Sequence, residues 1–333
     1  MRIRNVLYVI LCALLMACQS AEEKRLVKSK GLPYELLLVV ESEVWNGDMG
    51  DSLRSVFEGA MPGLTQYEPM FRLLRVFPEH YDRKYVTMRN KLYVRIDKKL
   101  SKPVLGVMRN AEATPQIEVT LAARDVKELR MIFSQNKQKI VDLFVDSELN
   151  IEAQRLRKKY SKKVADEVDS IFGWKLYASE EIKASKKGVD FLWAGTNRLE
   201  KDLNVVVYTY PMNSAENAFD KDVFVRKRDS VLKANIPGSR SDQWMTTTWE
   251  EGVPLVEVRK RVLDGSEVLE ARGLWEMRNG AIGGPFVSLS RVDSAFERIA
   301  VCEGFVYSPR TKKRELIRTL EAALRTLSLQ KKD

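Results

Sequence analysis

From residue 174 onward strand patterns follow one another with little between them, and this narrows the possible folds more than any other feature. The stretches 174–177, 189–193, 204–210, 255–262, 268–276, 286–290 and 299–307 are short and rich in Val, Ile, Leu and aromatic residues. Asp264-Gly265 separates two of them, and both residues accept the positive φ of a tight primed hairpin turn. Strands joined by short turns pair antiparallel, because a parallel pair needs a crossover of about a dozen residues or more. One helical pattern interrupts at about 219–234, and Asn235-Ile236-Pro237-Gly238 stops it. The last element opens at Ser308-Pro309, a hydroxyl followed by a proline suited to a first helical turn. Its Leu316, Ile317, Leu320, Ala323, Leu324 and Leu327 form one apolar stripe that must pack on a sheet or another helix.

The preceding part has its own strand and helix signals. Residues 34–41 read as a strand with a continuous apolar centre. Asp48 and Asp51 lie in the next loop, placed to cap a helix that buries Leu53, Val56, Phe57 and Ala60 before Pro62-Gly63 ends it. Residues 71–77, 92–96 and 117–121 are further strand candidates. An amphipathic helix is predicted over 125–145. A second runs from about 151 to 172, with Leu156, Tyr160, Val164, Val168 and Phe172 recurring every four residues. Gly173 marks a boundary. The pattern predicts an α+β fold with mainly antiparallel sheets and helices packed on one face. Both parts read as strand, helix, several strands and a long helix, which points to two related α+β halves, 34–172 and 173–333.

The first residues carry a different signal. Arg2 and Arg4 precede an uncharged apolar run over 6–17, too short to span a bilayer, which needs about 20 residues. The run ends in Leu15-Met16-Ala17-Cys18, which resembles the lipobox of bacterial lipoproteins, with Met16 larger than is usual at its position. The resemblance implies removal of a signal peptide, residues 1–17, and fatty acylation (palmitate among the chains) at Cys18. Several acyl chains anchor stably where one is marginal. Residues 18–33 then form a polar, lipidated tether. No Asp follows Cys18, so the outer membrane is the expected location, facing either the periplasm or the cell surface. The whole chain also resembles a Bacteroidota lipoprotein family known only as a domain of unknown function. That resemblance rests on the lipid signal, the length, the GLPYELLLVVE stretch and the RGLWEMRNGAIGGPFVS stretch. It implies a location and no activity.

The residues offer little for catalysis. His80, the only histidine, lies in a loop-like stretch, so a surface position is expected rather than a catalytic one. Once Cys12 leaves with the leader and Cys18 carries lipid, Cys302 remains alone in an apolar run and reads as a buried, inert thiol. One His and one free Cys cannot build the usual zinc site, and neither a metal nor another cofactor is expected. Ser134-Gln135-Asn136-Lys137 fits an S-x-x-K pattern without its companion motifs and is read as chance. The glycine-rich 279–285 lacks the GK[ST] of a phosphate loop and reads as a turn between strands.

The net charge of +10 is spread over mixed charges, so nucleic acid is not an expected partner. Six of the residues in 155–163 are basic, a solvated helix face or a contact for anionic lipid headgroups. Trp244, Trp249 and Trp275 lie near Glu250, Glu251, Glu257 and Glu276. They are the candidate ligand-binding residues, since indoles stack on sugars and carboxylate pairs hydrolyse glycosidic bonds. The primary reading is a membrane-anchored, non-enzymatic binding or assembly protein whose partner is another envelope protein. The alternative is a glycan- or small-ligand-binding lipoprotein with possible hydrolase activity.

Overall fold

The computed structural model describes residues 26–212, 214 and 218–329. Cys18, the expected signal peptide over 1–17 and the start of the expected tether lie outside the described residues. The fold is α+β.

The first half holds strands β1 (Glu35–Val40), β2 (Arg72–Val76), β3 (Asn90–Ile96), β4 (Val104–Arg109) and β5 (Ile117–Ala123), with helices α1 (Asp48–Phe57) and α2 (Val126–Lys158). The sheet order is β2-β1-β3-β5-β4, and every pairing is parallel except that of the edge strand β4. The preference for antiparallel strands therefore fails in this half. The loops and helical turns between strands are long enough to serve as crossovers, and β4 had no clear signal. Leu36, Leu38 and Val40 of β1 face a core with Leu53 and Phe57 of α1 and Phe133 and Phe144 of α2. Leu37 and Val39 point the other way, toward Val76 and Met88. Asp48 and Asp51 lie in the first turn of α1, where they favour its positive end, but Gly47 is the cap residue and no side chain caps it. Ala60 lies beyond the helix and is exposed.

The predicted helix break near 146–150 does not exist. α2 runs unbroken to Lys158, and α3 (Lys162–Phe172) begins after Ser161, whose hydroxyl accepts from the Val164 N–H at 3.4 Å. α3 ends at Gly173, left-handed with φ 71°. Val164, Val168 and Phe172 pack into the core of the second half. This moves the boundary from Gly173 to residues 159–161.

The second half is one eight-stranded antiparallel sheet. Its strands are β6 (Ala184–Gly188), β7 (Phe191–Gly195), β8 (Asp202–Pro211), β9 (Met245–Thr247), β10 (Val256–Leu263), β11 (Ser266–Met277), β12 (Gly283–Asp293) and β13 (Arg298–Tyr307). The order is β9-β11-β12-β13-β8-β7-β6, with β10 also paired to β11. Asp264 and Gly265 turn the β10–β11 hairpin at φ 51° and 77°, as their residue types predict. Residues 174–177 make only an isolated bridge, Lys175 with Ser328. The glycine-rich 279–282 forms the turn into β12. A Cβ on Gly284 would lie 2.1 Å from the Val306 carbonyl oxygen, so the strand can approach there only as glycine.

Helices cover both faces of this sheet, not one. α4 (Lys221–Asn235) lies on the face of Val206, Tyr208 and Phe305. The other face, with Val205, Val207, Leu289 and Cys302, takes α3 and α5 (Arg314–Leu324). A wide sheet with apolar residues at both alternating positions needs both sides covered. The different strand orders and directions also remove the expected relation between the halves.

α5 joins the two cores. Its Ile317, Leu320 and Leu324 belong to the second core, and its Ala322 and Ala323 to the first. Gly304 lets it pack closely, since a Cβ there would lie 2.7 Å from Leu320 Cβ. The helix starts at Arg314 and not at Ser308-Pro309. A carboxylate from the other half fixes that start: Glu68 accepts the backbone N–H of Lys313 at 2.6 Å and of Arg314 at 3.0 Å. No helix among the described residues is long and apolar enough to cross a membrane.

Candidate functional site

Between the halves α2 faces the β10–β11 hairpin, and the contact is ionic. Asp142 and Asp146 are four residues apart on α2 and share one side, spaced about 6 Å along it. Arg259 and Arg261 are two apart on β10 and share one face, spaced about 6.6 Å. The matched spacings let both pairs close, Arg259 to Asp142 at 3.0 Å and Arg261 to Asp146 at 2.8 Å. Behind them Glu270 accepts from Arg272 at 2.9 Å, Arg261 at 3.1 Å and Arg259 at 3.2 Å. Glu321 of α5 extends the chain of charges to Arg272 at 2.5 Å and Arg318 at 2.8 Å, and Arg325 reaches Asp146 at 2.7 Å.

The Glu270 and Glu321 carboxylates are buried, and burial alone pushes their pKa values up. Arg272, Arg259 and Arg261 hold the Glu270 carboxyl well below the ordinary range, and Arg272 and Arg318 do the same for Glu321. Each charge therefore has its counter-charge within the protein, so the network fixes geometry rather than offering free groups for chemistry.

Above it lies a cleft of about 500 Å³. Val56, Ala60, Pro62, Met70, Val141, Val145 and Val258 are its apolar lining. A second depression of about 650 Å³ shares Ser55, Val56 and Lys137 with it and runs along α1 and α2 past Val126 and Met131. Met131 is 51% exposed and Val126 40%. The result is an elongated groove whose apolar residues alternate with Ser52, Ser55, Gln138 and Glu257, and which is edged by Lys127 and Lys137, neither of which has an ion-pair partner among the described residues.

The tryptophans do not share a site with it. Trp275 is core, 3% exposed, with its Nε1–H donated to the Val306 carbonyl at 3.2 Å and the Phe305 ring against it edge-on. It has no free face for a ligand, so its candidate role is corrected. Trp244 is half-buried beneath the Lys233 ammonium, 4.3 Å from the ring centroid. Trp249 is exposed and donates to Asp229 at 3.4 Å. Glu250, beside it in the same short strand, and Glu251, in the turn that follows, are both exposed. Alternation explains the split: Trp275 pairs with Thr247 inside the sheet, whereas Trp249 belongs to a two-residue ribbon outside it.

His80 lies exposed on a 3-10 turn beside Phe77. Cys302 is fully buried, which drives its thiol pKa far up and leaves it a poor nucleophile. Sequence reasoning missed the arginine–carboxylate network. Its trace is there to read: the charged alternation of Val256–Leu263, and Arg318, Glu321 and Arg325 at helical spacing beside an apolar stripe.

Two α+β units meeting at this ionic seam define a two-domain protein. Residues 29–157 match a domain of unknown function (DUF8532), and residues 161–326 match another domain of unknown function (DUF4837). The gap between the two matches falls on the break between α2 and α3. A comparison with curated proteins finds no match.

Proposed function

We propose that this protein is a lipoprotein of the cell envelope, anchored through Cys18 in the outer membrane, that binds another envelope protein without catalysing a reaction on it. The observation that carries the binding reading is the elongated groove between α1 and α2. Its deeper charges are committed to one another, so apolar contact and shape are what it offers a partner. Lys127 and Lys137 at the rim favour a segment whose apolar residues are flanked by acids. A helix or extended segment laid in such a groove is a common mode of peptide recognition. The glycan alternative now rests on Trp249 alone among the exposed indoles, and a single stacking face holds a sugar weakly.

Photo-crosslinking in living cells tests the groove. A photoreactive residue at Gln138, on the cleft wall, is expected to trap one discrete protein, while the same residue at Lys187 on the distant β6 edge traps none. Equal capture from both positions, or capture of glycan only, would sink the proposal. The anchor has its own check. Cys18→Ala is expected to abolish incorporation of labelled fatty acid, and undiminished labelling would show that acylation lies elsewhere.

A further inference from the structure

We propose that a second pocket, beyond the C-terminal end of α5, binds a phosphate-type oxyanion through Arg291. The pocket encloses about 1000 Å³. Three arginines line it, Arg157, Arg291 and Arg325, together with the hydroxyls of Ser266, Ser294 and Ser328. Arg157 belongs to the basic run at the end of α2, so the run of exposed cations leads into the pocket.

Arg291 is the unusual member. It is 8% exposed, and its cross-strand neighbours are the apolar Val268 and Ala300. Its Nε and Nη2 are shut off from solvent and meet no hydrogen-bond partner among the described residues. No carboxylate among the described residues pairs with it. Arg325 shares the lack of an aligned hydrogen-bond partner at Nε and Nη2 but has a counter-charge, an Asp146 carboxylate oxygen 2.7 Å away, and Arg298 donates to the Asp293 carboxylate at 2.9 Å. Three carboxylates also line the pocket: Asp264 and Glu267 are exposed, and the buried Asp293 is engaged by Arg298. Burial pulls the Arg291 pKa down, with Arg325 adding to that and Asp264 opposing it.

A guanidinium without an acceptor costs stability, and a protein retains one where a ligand completes it. The planar fork of arginine matches an oxyanion through paired N–H donors. The chemistry fits a phosphoryl group, whether on a free phosphate ester or on a lipid headgroup.

Isothermal titration of the full chain with inorganic phosphate, and separately with soluble dihexanoyl phosphatidic acid, tests this. Both are expected to bind wild type. Arg291→Met is expected to weaken binding by roughly tenfold to a hundredfold, the loss of a charge-assisted hydrogen-bonded contact. Without phosphate, its denaturation midpoint is expected to match or exceed that of wild type, because an unpaired buried charge has gone. Arg157→Ala, at the exposed rim, should weaken binding several-fold without touching the fold. Tighter binding of the lipid probe assigns the site to a headgroup, and equal binding assigns it to a free phosphate ester. Absence of binding by either probe, or an Arg291→Met chain that binds as wild type does, overturns the proposal.

Discussion

Replacing Glu321 with alanine is expected to destabilise the protein by about 3–5 kcal/mol, the cost of leaving buried charge without its partner. Glu321 is fully buried, and Arg272 and Arg318 both depend on it. Their guanidinium groups are largely buried, with side-chain exposures of 10% and 4%, so little water can replace the lost carboxylate. The effect should also show in cooperativity. With the seam broken, the two halves are expected to unfold in separate urea transitions where the wild type gives one. A change below about 1 kcal/mol with a single transition retained would show that the network is incidental.

The same network sets an acid dependence. Glu321 and Glu270 have folded pKa values depressed below those of the unfolded chain, near 4.3 for glutamate. A depressed carboxylate stabilises the fold above its unfolded pKa and loses that contribution as pH falls toward the folded value. The denaturation midpoint should therefore hold steady down to about pH 5 and drop steeply below about pH 4. Glu321→Gln should be less stable than wild type at neutral pH and converge on it in acid. Parallel pH profiles for the two chains would refute the assignment.

The second large effect is expected at Glu303. Its carboxylate takes a two-pronged contact from Arg228, at 2.8 and 2.7 Å, with both side chains fully buried between α4 and the sheet. The guanidinium also lies 3.8 Å from the Phe286 ring centroid and donates to Thr247. Burial pushes the Glu303 carboxyl up and Arg228 offsets only part of that rise, while Glu303 raises the Arg228 pKa against its burial. Glu303→Ala is expected to cost about 3 kcal/mol or more, moderated by Asp229 at 3.6 Å from Arg228. The double change Arg228→Met with Glu303→Leu should recover most of that loss, since an apolar pair of similar volume needs no counter-charge. Urea denaturation of the three variants measures both claims. If the double variant is no better than the single one, packing and not charge explains the site.

Elements with local causes were legible in the chain. The Asp264-Gly265 hairpin, strands β7, β8 and β10 to β13, and the end of α3 at Gly173 each follow from residues within a few positions of one another. The stripe of α5 was legible too, but its start was not, because the groups that cap Lys313 and Arg314 come from Glu68 in the other half. Strand direction in the first half also escaped, since the same apolar run suits either direction and only the crossovers decide.

The sequence by itself determined which residues are apolar, where the chain turns and that α and β elements coexist, because periodicity and turn chemistry act over short separations. The tertiary structure alone decided the rest. It separated Trp275 from Trp249, paired Asp142 and Asp146 with Arg259 and Arg261, and left Arg291 Nε and Nη2 without an acceptor among the described residues. The worth of a charge depends on what lies within a few ångströms of it, and those neighbours are more than a hundred residues away in the chain.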